Sequence, residues 1–160
     1  MNITYRAITS TDFSFLKEML YETIYVPEGE DPYPISILEL PEISKYISNW
    51  GRQGDFGFIA SINNSPVGAA WARLFNEQNK GYGFVNAETP ELSIAIKQSY
   101  RSKGIGNQLM KQMIALAKEK GYKQLSLSVD KRSRAVLLYK KLNFEIIDDL
   151  ETAYTMLLKL

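Results

Sequence analysis

The sequence contains no cysteine and no histidine among its 160 residues. Without cysteine there is no disulfide framework, no thiolate nucleophile and no zinc site built on thiolates. Without histidine the commonest metal ligand, the usual general base and every serine–histidine triad are excluded. Any catalysis must therefore use carboxylates, tyrosine, lysine or the backbone, and we expect no bound metal.

Long apolar runs are also missing, since no segment approaches the roughly 20 apolar residues that cross a bilayer. The first ten residues, MNITYRAITS, have no basic stretch leading into an apolar one, so we predict no signal peptide. A cytoplasmic protein without a membrane partner is the resulting expectation. Hydrophobic residues make up 45% and charged residues 23% of the chain, as in folded globular proteins. We predict one domain over residues 1–160.

The net charge is only +1, but the charges are unevenly distributed. Acids without any base lie between Lys17 and Lys45, whereas residues 97–123 and 131–141 are strongly basic. A basic half could bind nucleic acid, which would give strongly salt-dependent retention on DNA. The cations alternate with core-type residues, however, so we expect no nucleic-acid partner. A small polyanion at the basic half and a cationic ligand at the acidic segment fit the pattern better.

Hydrophobic periodicity predicts the element order β–α–α–β–β–β–α–β–α–β–β. The strands ELSIAIK (91–97) and LSLSV (125–129) are joined through a helix that follows Gly104, so they should be parallel neighbours. The strands at 55–62 and 66–75 are joined by a tight turn and should be antiparallel. The predicted class is therefore mixed α/β: a mostly antiparallel sheet with one parallel crossover pair and helices on both faces.

The stretch RSKGIGNQLM begins at Arg101 and opens the helix of that crossover. A helix N-terminus carries about half a positive charge and several unpaired N–H donors, which favour an anion. Gly104 and Gly106 remove side chains that would hold a phosphate away, and either can adopt a positive φ. Arg101 and Lys103 add cations, so a pyrophosphate fits. A tight strand-to-helix turn without a ligand is the alternative, and the spacing excludes a Walker loop and a Rossmann fingerprint.

Two motifs resemble the GNAT family of N-acetyltransferases. The segment ELSIAIKQSYRSKGIG (91–106) is similar to its acyl-CoA-binding motif [Q/R]-x-x-G-x-[G/A], and AVLLYKKLNF (135–144) to its A-x-x-x-Y-x-x-x-G-F signature. Three positions depart from the family pattern. Arg132 replaces a frequent asparagine and could contact a phosphate instead, Gln98 replaces a common proline, and Asn143 replaces a glycine but can still adopt a positive φ.

The resemblance implies a GNAT fold and an acetyl-CoA-dependent N-acetyltransferase. The acetyl group would move to a primary amine of a small molecule or peptide by direct attack in a ternary complex. A non-catalytic acyl-CoA-binding sensor of the same fold is the alternative, which would bind the cofactor without releasing free thiol. The residues implied in acetyl-CoA binding, the strand ones through their main chain, are Ile94, Ala95, Ile96, Arg101, Ser102, Lys103, Gly104, Ile105, Gly106, Asn107, Arg132 and Ala135.

Acetyl transfer to an amine requires a deprotonated amine and a proton for the leaving sulfur. With no histidine, the base must be a carboxylate or a water relay. Glu91 is the first candidate, because it begins the strand that the family places beside the thioester, and Glu88 is the second. A surface charge at a strand end is the alternative role of Glu91. Tyr139 matches the family tyrosine that protonates the thiolate, and a packing role for its ring is compatible with this.

The acidic and aromatic segment at 21–33 falls where the variable helices of the family line the acceptor site. A solvated acidic loop is the alternative. The sequence leaves the amine, the acyl chain length and the oligomeric state open, with a homodimer as one alternative. The residues implied in acceptor binding are the acids Glu28, Glu30 and Asp31 and the aromatic residues Tyr25, Tyr33 and Trp71.

Overall fold

The computed structural model describes residues 2–160, and its element order matches the predicted one. Short 3-10 turns at Ser10–Asp12, Ile35–Glu39 and Gln98–Tyr100 accompany the main elements. The strands are β1 (Ile3–Ala7), β2 (Phe56–Ile62), β3 (Ser65–Arg73), β4 (Glu91–Ile96), β5 (Gln124–Asp130), β6 (Glu145–Asp149) and β7 (Ala153–Lys159), and the helices are α1 (Phe13–Thr23), α2 (Pro41–Ser44), α3 (Ile105–Glu119) and α4 (Ala135–Lys141).

The chain clusters into two compact units, of which the first runs to Arg73 and includes Ser93–Met113. Its strands are neighbours in the order β1-β2-β3-β4, with β1–β2 and β2–β3 antiparallel. The hairpin between β2 and β3 turns at Asn63 and Asn64, whose φ angles are 49° and 69°. Two successive positive φ angles characterise a type I′ turn, which asparagine tolerates. The predicted antiparallel hairpin is confirmed.

The predicted second helix of this unit is divided in two. A 3-10 turn spans Ile35–Glu39, and α2 begins at Pro41 after the extended residue Leu40. Proline cannot donate a backbone hydrogen bond, so it is accepted at the first helical position and not within a helix. This division keeps the segment close to the surface, where Ile35 and Leu40 are exposed.

The second unit comprises Leu74–Leu92 and Ile114–Leu160, and its strands follow the order β4-β5-β7-β6. β4 and β5 are parallel, with Glu91 opposite Ser126, while β5–β7 and β6–β7 are antiparallel. The N–H of Ser126 donates to the Pro90 carbonyl at 3.1 Å. The predicted parallel crossover is thus confirmed.

The loop between β3 and β4 packs closely on β5 at Gly83. A Cβ at this position would lie 2.6 Å from the carbonyl carbon of Leu127 and 2.8 Å from the nitrogen of Ser128. No side chain fits at such a distance from backbone atoms, so glycine is required there. The contact fixes the loop that leads through Thr89 into β4.

Two features mark the end of the second unit. Asn143 has a φ of 73°, so it adopts the left-handed conformation that the sequence analysis allows for asparagine, and Phe144 follows it into the core. β6 then lies at the end of the strand order, with all five of its residues exposed. Its pairing with β7 shifts register between Ile146 and Asp148.

Candidate active site

The glycine loop of the first unit adopts a conformation that depends on Gly104. Gly104 has a φ of 82°, and Ser102 has a φ of 62°. Helix α3 begins at the next residue, Ile105, and the N–H of Gln108 donates to the Gly104 carbonyl at 3.2 Å. Of the two glycines, Gly104 therefore provides the positive φ, whereas Gly106 lies inside α3. The N–H groups of the first turn of α3 have no partner within the helix.

The space in front of Gly104 is open. Apart from the neighbouring residues in the chain, no atom of residues 2–160 lies within 4 Å of the point that a Cβ would occupy there. Arg101 and Lys103 on either side of Ser102 are exposed. Unpaired N–H donors, an open approach and two cations are the donor set that a pyrophosphate requires. The residues present therefore fit the phosphate groups of coenzyme A.

Arg101 is held by two contacts within the first unit. Its Nε–H donates to the Ile96 carbonyl at 3.0 Å, and its Nη2 donates to Glu22 Oε2 on α1 at 3.1 Å. One turn earlier on α1, Glu18 lies 3.6 Å from the ammonium of Lys97. Two acids four residues apart on α1 thus face two cations four residues apart after β4. These two acids are not among the predicted site residues, since Glu22 and Arg101 are 79 positions apart in the sequence.

The candidate base Glu91 lies in the second unit and is buried, with 3% of its surface exposed. The alternative of a surface charge is therefore excluded. Ser126, its register partner on β5, is fully buried, and its Oγ has no hydrogen-bond partner among residues 2–160. Residues opposite each other in adjacent strands project on the same face. A buried carboxylate is costly to maintain, so the environment of Glu91 differs from that of a solvated strand-end charge.

Two residues before Glu91, a chain of side-chain hydrogen bonds runs from Gln124 through the buried Thr89 to the exposed Asn86. Thr89 is 3% exposed, accepts from Gln124 Nε2 at 2.8 Å and donates to Asn86 Oδ1 at 2.9 Å. The second candidate base, Glu88, is exposed, and its N–H donates to the same Asn86 oxygen at 2.9 Å. These residues line a cavity of about 520 Å³ in the second unit. Glu88 and Glu91 therefore differ in environment, one solvated and the other enclosed.

Tyr139 projects from α4 into the second unit and is 7% exposed. Its ring centroid lies 5.9 Å from that of Phe144. Burial raises the pKa of the Tyr139 phenol well above its ordinary value of 10.0, because the phenolate would lose hydration. The hydroxyl therefore keeps its proton at neutral and moderately alkaline pH. Both the packing role and the donor role are compatible with this environment.

Arg132 forms an ion pair with Asp130 in the second unit. Its Nε and Nη2 donate to the two carboxylate oxygens at 3.0 and 2.9 Å, and its backbone N–H donates to the same carboxylate. The hydrogen bond from Arg132 is the main cause that lowers the pKa of Asp130. Ala135 starts α4, and its N–H donates to Ser133 Oγ at 3.2 Å.

The residues implied in acceptor binding lie in the first unit in different environments. Glu28 and Asp31 are exposed, Tyr25 is half-buried, and Tyr33 is 49% exposed while its carbonyl accepts from the Tyr21 hydroxyl. Trp71, by contrast, is fully buried, and its indole N–H donates to the Tyr46 carbonyl at 3.1 Å. The ring is a core side chain of the first unit, and its contact with an acceptor stays a prediction.

Among residues 2–160, no group of three or more acidic side chains is placed to hold a metal ion. None of the helices in this range is long and apolar enough to cross a membrane.

The sequence profile of the acetyltransferase (GNAT) family matches residues 17–144, which include both the glycine loop and Tyr139. The chain belongs to the GNAT family. The match covers the two motifs in one alignment, so the resemblance noted from the sequence is confirmed.

Solved structures place the fold of this GNAT protein among N-acetyltransferases. An N-acetyltransferase from Staphylococcus aureus Mu50 is 23% identical over 100% of this chain and 98% of its own, with a TM-score of 0.69. The PaiA N-acetyltransferase from Thermoplasma acidophilum, in complex with coenzyme A, is 21% identical over 100% of both chains, with a TM-score of 0.69. The yncA protein from Salmonella typhimurium, solved with its cofactor acetyl-CoA, is 18% identical over 100% of this chain and 95% of its own, with a TM-score of 0.71.

Proposed function

We propose that this GNAT protein is an acetyl-CoA-dependent N-acetyltransferase that acts on a primary amine of a small molecule or peptide. The open, positively charged loop at Gly104 is the observation that carries the proposal. The coenzyme A and acetyl-CoA complexes of two similar structures support it. We further propose that residues 1–160 act as one catalytic domain, which the span of the family match supports.

In this proposal the phosphate groups are held by the side chains of Arg101 and Lys103 and by main-chain donors from Ser102 to Asn107. The main chain of β4 at Ile94, Ala95 and Ile96 binds the amides of the pantetheine arm in the manner of an added strand. Arg132 and Ala135 complete the binding set. Acetyl-CoA supplies the acetyl group as a thioester that an amine can attack.

Glu91 accepts the proton of the attacking amine in this proposal. Glu91 is buried opposite Ser126 of β5, so its carboxylate is kept away from bulk solvent, which supports a role as general base. Glu88 and a water relay remain the alternatives. The relay would use the buried Thr89 and the half-buried Gln124, whose side chains are hydrogen-bonded to each other and line the cavity at Glu88.

Tyr139 donates the proton that the departing sulfur needs. Because burial raises the pKa of the phenol, the donor stays protonated throughout the working pH range. A loss of activity at moderately alkaline pH would therefore result from the deprotonation of a group other than Tyr139.

The exposed acids at Glu28, Glu30 and Asp31 attract a cationic acceptor, with Tyr25 and Tyr33 lining its site. The acidic charge of the segment and its position between α1 and α2 support this part of the proposal. A cytoplasmic location, a homodimer, and the absence of a metal, nucleic-acid or membrane partner stay predictions.

Turnover of acetyl-CoA with a panel of amines tests the function. We expect saturable release of free thiol with cationic primary amines and slower release with neutral ones. Gly104→Asp places bulk and negative charge in the open space of the loop and strains its positive φ of 82°, so it should remain folded by circular dichroism and lose coenzyme A binding in calorimetry. Binding of acetyl-CoA without thiol release for any amine would favour the sensor alternative.

Replacement of Tyr139 by phenylalanine separates the donor role from packing. Tyr139→Phe should lower kcat at least about tenfold and leave the KM for acetyl-CoA nearly unchanged, because the ring is kept and only the proton donor is lost. The position of the alkaline limb should not move below about pH 9, given the raised pKa. Tyr154→Phe in β7 is the matched control. Wild-type kcat in the Tyr139 variant would assign this residue to packing alone.

A further inference from the structure

The contact between Glu22 and Arg101 involves the arginine to which the proposed function assigns the pyrophosphate. The side chains are 33% and 48% exposed and lie 3.1 Å apart. We propose that Glu22 occupies Arg101 in place of the phosphate and thereby sets the affinity of the loop for coenzyme A. This inference rests on the proposed function, since it concerns the same loop.

The geometry of Arg101 leaves it able to exchange partners. Its Nε is fixed by the Ile96 carbonyl and its Nη2 by Glu22, while Nη1 has no protein partner within residues 2–160. A carboxylate and a phosphate offer a guanidinium the same kind of charged oxygen acceptors. The guanidinium is therefore already oriented at the loop, with a carboxylate at one of the positions that a phosphate oxygen can take.

Because the ion pair between Glu22 and Arg101 is exposed to solvent, a pyrophosphate can compete with the Glu22 carboxylate for Arg101. An ion pair in contact with solvent is weak, so a pyrophosphate with more charge can displace the carboxylate of Glu22. After displacement, Glu22 still lies on α1 beside Arg101, and its negative charge opposes the incoming phosphate. Glu22 therefore lowers the affinity for coenzyme A both by competition for Arg101 and by repulsion.

The neighbouring pair on the same helix provides a matched control. Glu18 contacts Lys97 at 3.6 Å, and the side chains are 52% and 37% exposed. Lys97 precedes the loop motif and is not among the residues assigned to phosphate. Glu18→Gln and Glu22→Gln each remove one negative charge and one exposed ion pair from α1, but only the second removes the charge that competes for Arg101.

Calorimetric titration with coenzyme A tests the inference. Glu22→Gln keeps an amide oxygen that can accept from Arg101, so the guanidinium stays positioned while the competing charge is lost. We expect this variant to bind coenzyme A about fivefold more tightly, the factor that one exposed ion pair contributes. Glu18→Gln should change the dissociation constant by less than about twofold.

Pantetheine, which lacks the phosphates, identifies the part of the ligand that responds. Glu22→Gln should leave the affinity for pantetheine unchanged, because no phosphate meets Arg101. A tightening equal to that for coenzyme A would overturn the inference, as would unchanged or weaker coenzyme A binding by Glu22→Gln, or an equal gain in Glu18→Gln. If one of these results is obtained and the wild-type protein still binds coenzyme A, only the inference about Glu22 fails. If the wild-type protein binds no coenzyme A, the inference and the proposed function both fail.

Discussion

Arg73 and Arg101 both pair with a carboxylate in the first unit, yet they differ in almost every physical respect. Arg73 donates Nε and Nη2 to the two oxygens of Asp55 at 3.0 and 2.8 Å, and the side chains are 1% and 2% exposed. Its Nη1 donates to the carbonyls of Lys45 and Ser48 at 2.8 and 2.7 Å. Arg101 has one carboxylate oxygen and one carbonyl as partners and is half-exposed.

Both pairs join an arginine to a carboxylate, so burial and not residue type distinguishes the structural ion pair from the one whose carboxylate a ligand can displace. Asp55 also accepts from the backbone N–H groups of Gly51 and Arg52, so each charged atom of the buried pair is occupied. These bonds tie the segment from Lys45 to Asp55 to the end of β3. A ligand anion therefore cannot displace Asp55 from Arg73, whereas Arg101 keeps one nitrogen that is free to bind an anion from solvent.

The largest effect is expected on removing the buried arginine. Arg73→Ala leaves the Asp55 carboxylate and two carbonyls buried without a donor, which should lower the free energy of unfolding by about 3–5 kcal/mol. Urea denaturation monitored by tryptophan fluorescence would measure it. Arg52→Ala, which removes a more exposed arginine of the same segment, is the control and should lose much less. A loss below about 1 kcal/mol in Arg73→Ala would refute the distinction by burial.

An intermediate effect is expected for the pair of Arg6 and Asp12, whose side chains are 50% and 9% exposed. The hydrogen bond from Arg6 lowers the pKa of Asp12 to about 2. A lowered carboxyl pKa stabilises the fold above its ordinary value near 4, and this contribution is lost as the pH falls through about 2. Asp12→Asn should therefore lose about 1–2 kcal/mol at pH 7, since the exposed arginine weakens the pair.

Denaturation of both proteins between about pH 7 and 2 checks this window. The difference between wild type and Asp12→Asn should stay constant down to about pH 4 and then shrink. A difference that persists unchanged at pH 2 would show that the charge of Asp12 does not cause it, because the bonds from Arg6 and from the Thr9 N–H at 2.8 Å both lower the pKa of this carboxyl.

The smallest effect on stability is expected for the exposed pair. Arg101→Ala should change the free energy of unfolding by less than about 1 kcal/mol, as exposed ion pairs do. The same variant should bind coenzyme A at least about tenfold more weakly, because a charged hydrogen bond to phosphate is lost. A large loss of stability in Arg101→Ala would show that Arg101 is a structural residue like Arg73, which would contradict the distinction between the buried and the exposed ion pair.

Features set by local sequence were predictable. The asparagine pair at 63–64 specifies a hairpin turn, the strand–helix–strand succession specifies that β4 and β5 are parallel neighbours, and asparagine at 143 tolerates its φ of 73°. Each of these follows from backbone preferences within a few residues or from the handedness of a crossover.

Contacts between distant residues were not predictable in the same way. Glu22 and Arg101 are 79 positions apart, and only folding brings α1 beside the loop. The burial of Trp71 inside β3 likewise depends on what covers the strand, since an aromatic residue in an alternating segment fits a core or a pocket wall equally. For Glu91, the sequence placed the carboxylate at a strand end but could not tell a solvated end from an enclosed one.

The exposed strand β6 has a consequence for how the protein behaves at high concentration. An end strand with free backbone groups and exposed apolar side chains such as Ile146 and Ile147 is a template for aggregation by strand addition. The register shift after Ile146 and the carboxylates of Glu145, Asp148 and Asp149 oppose such growth, since two copies aligned there would bring like charges together. This protection is electrostatic, so added salt should weaken it, and association at high protein concentration would then begin at β6.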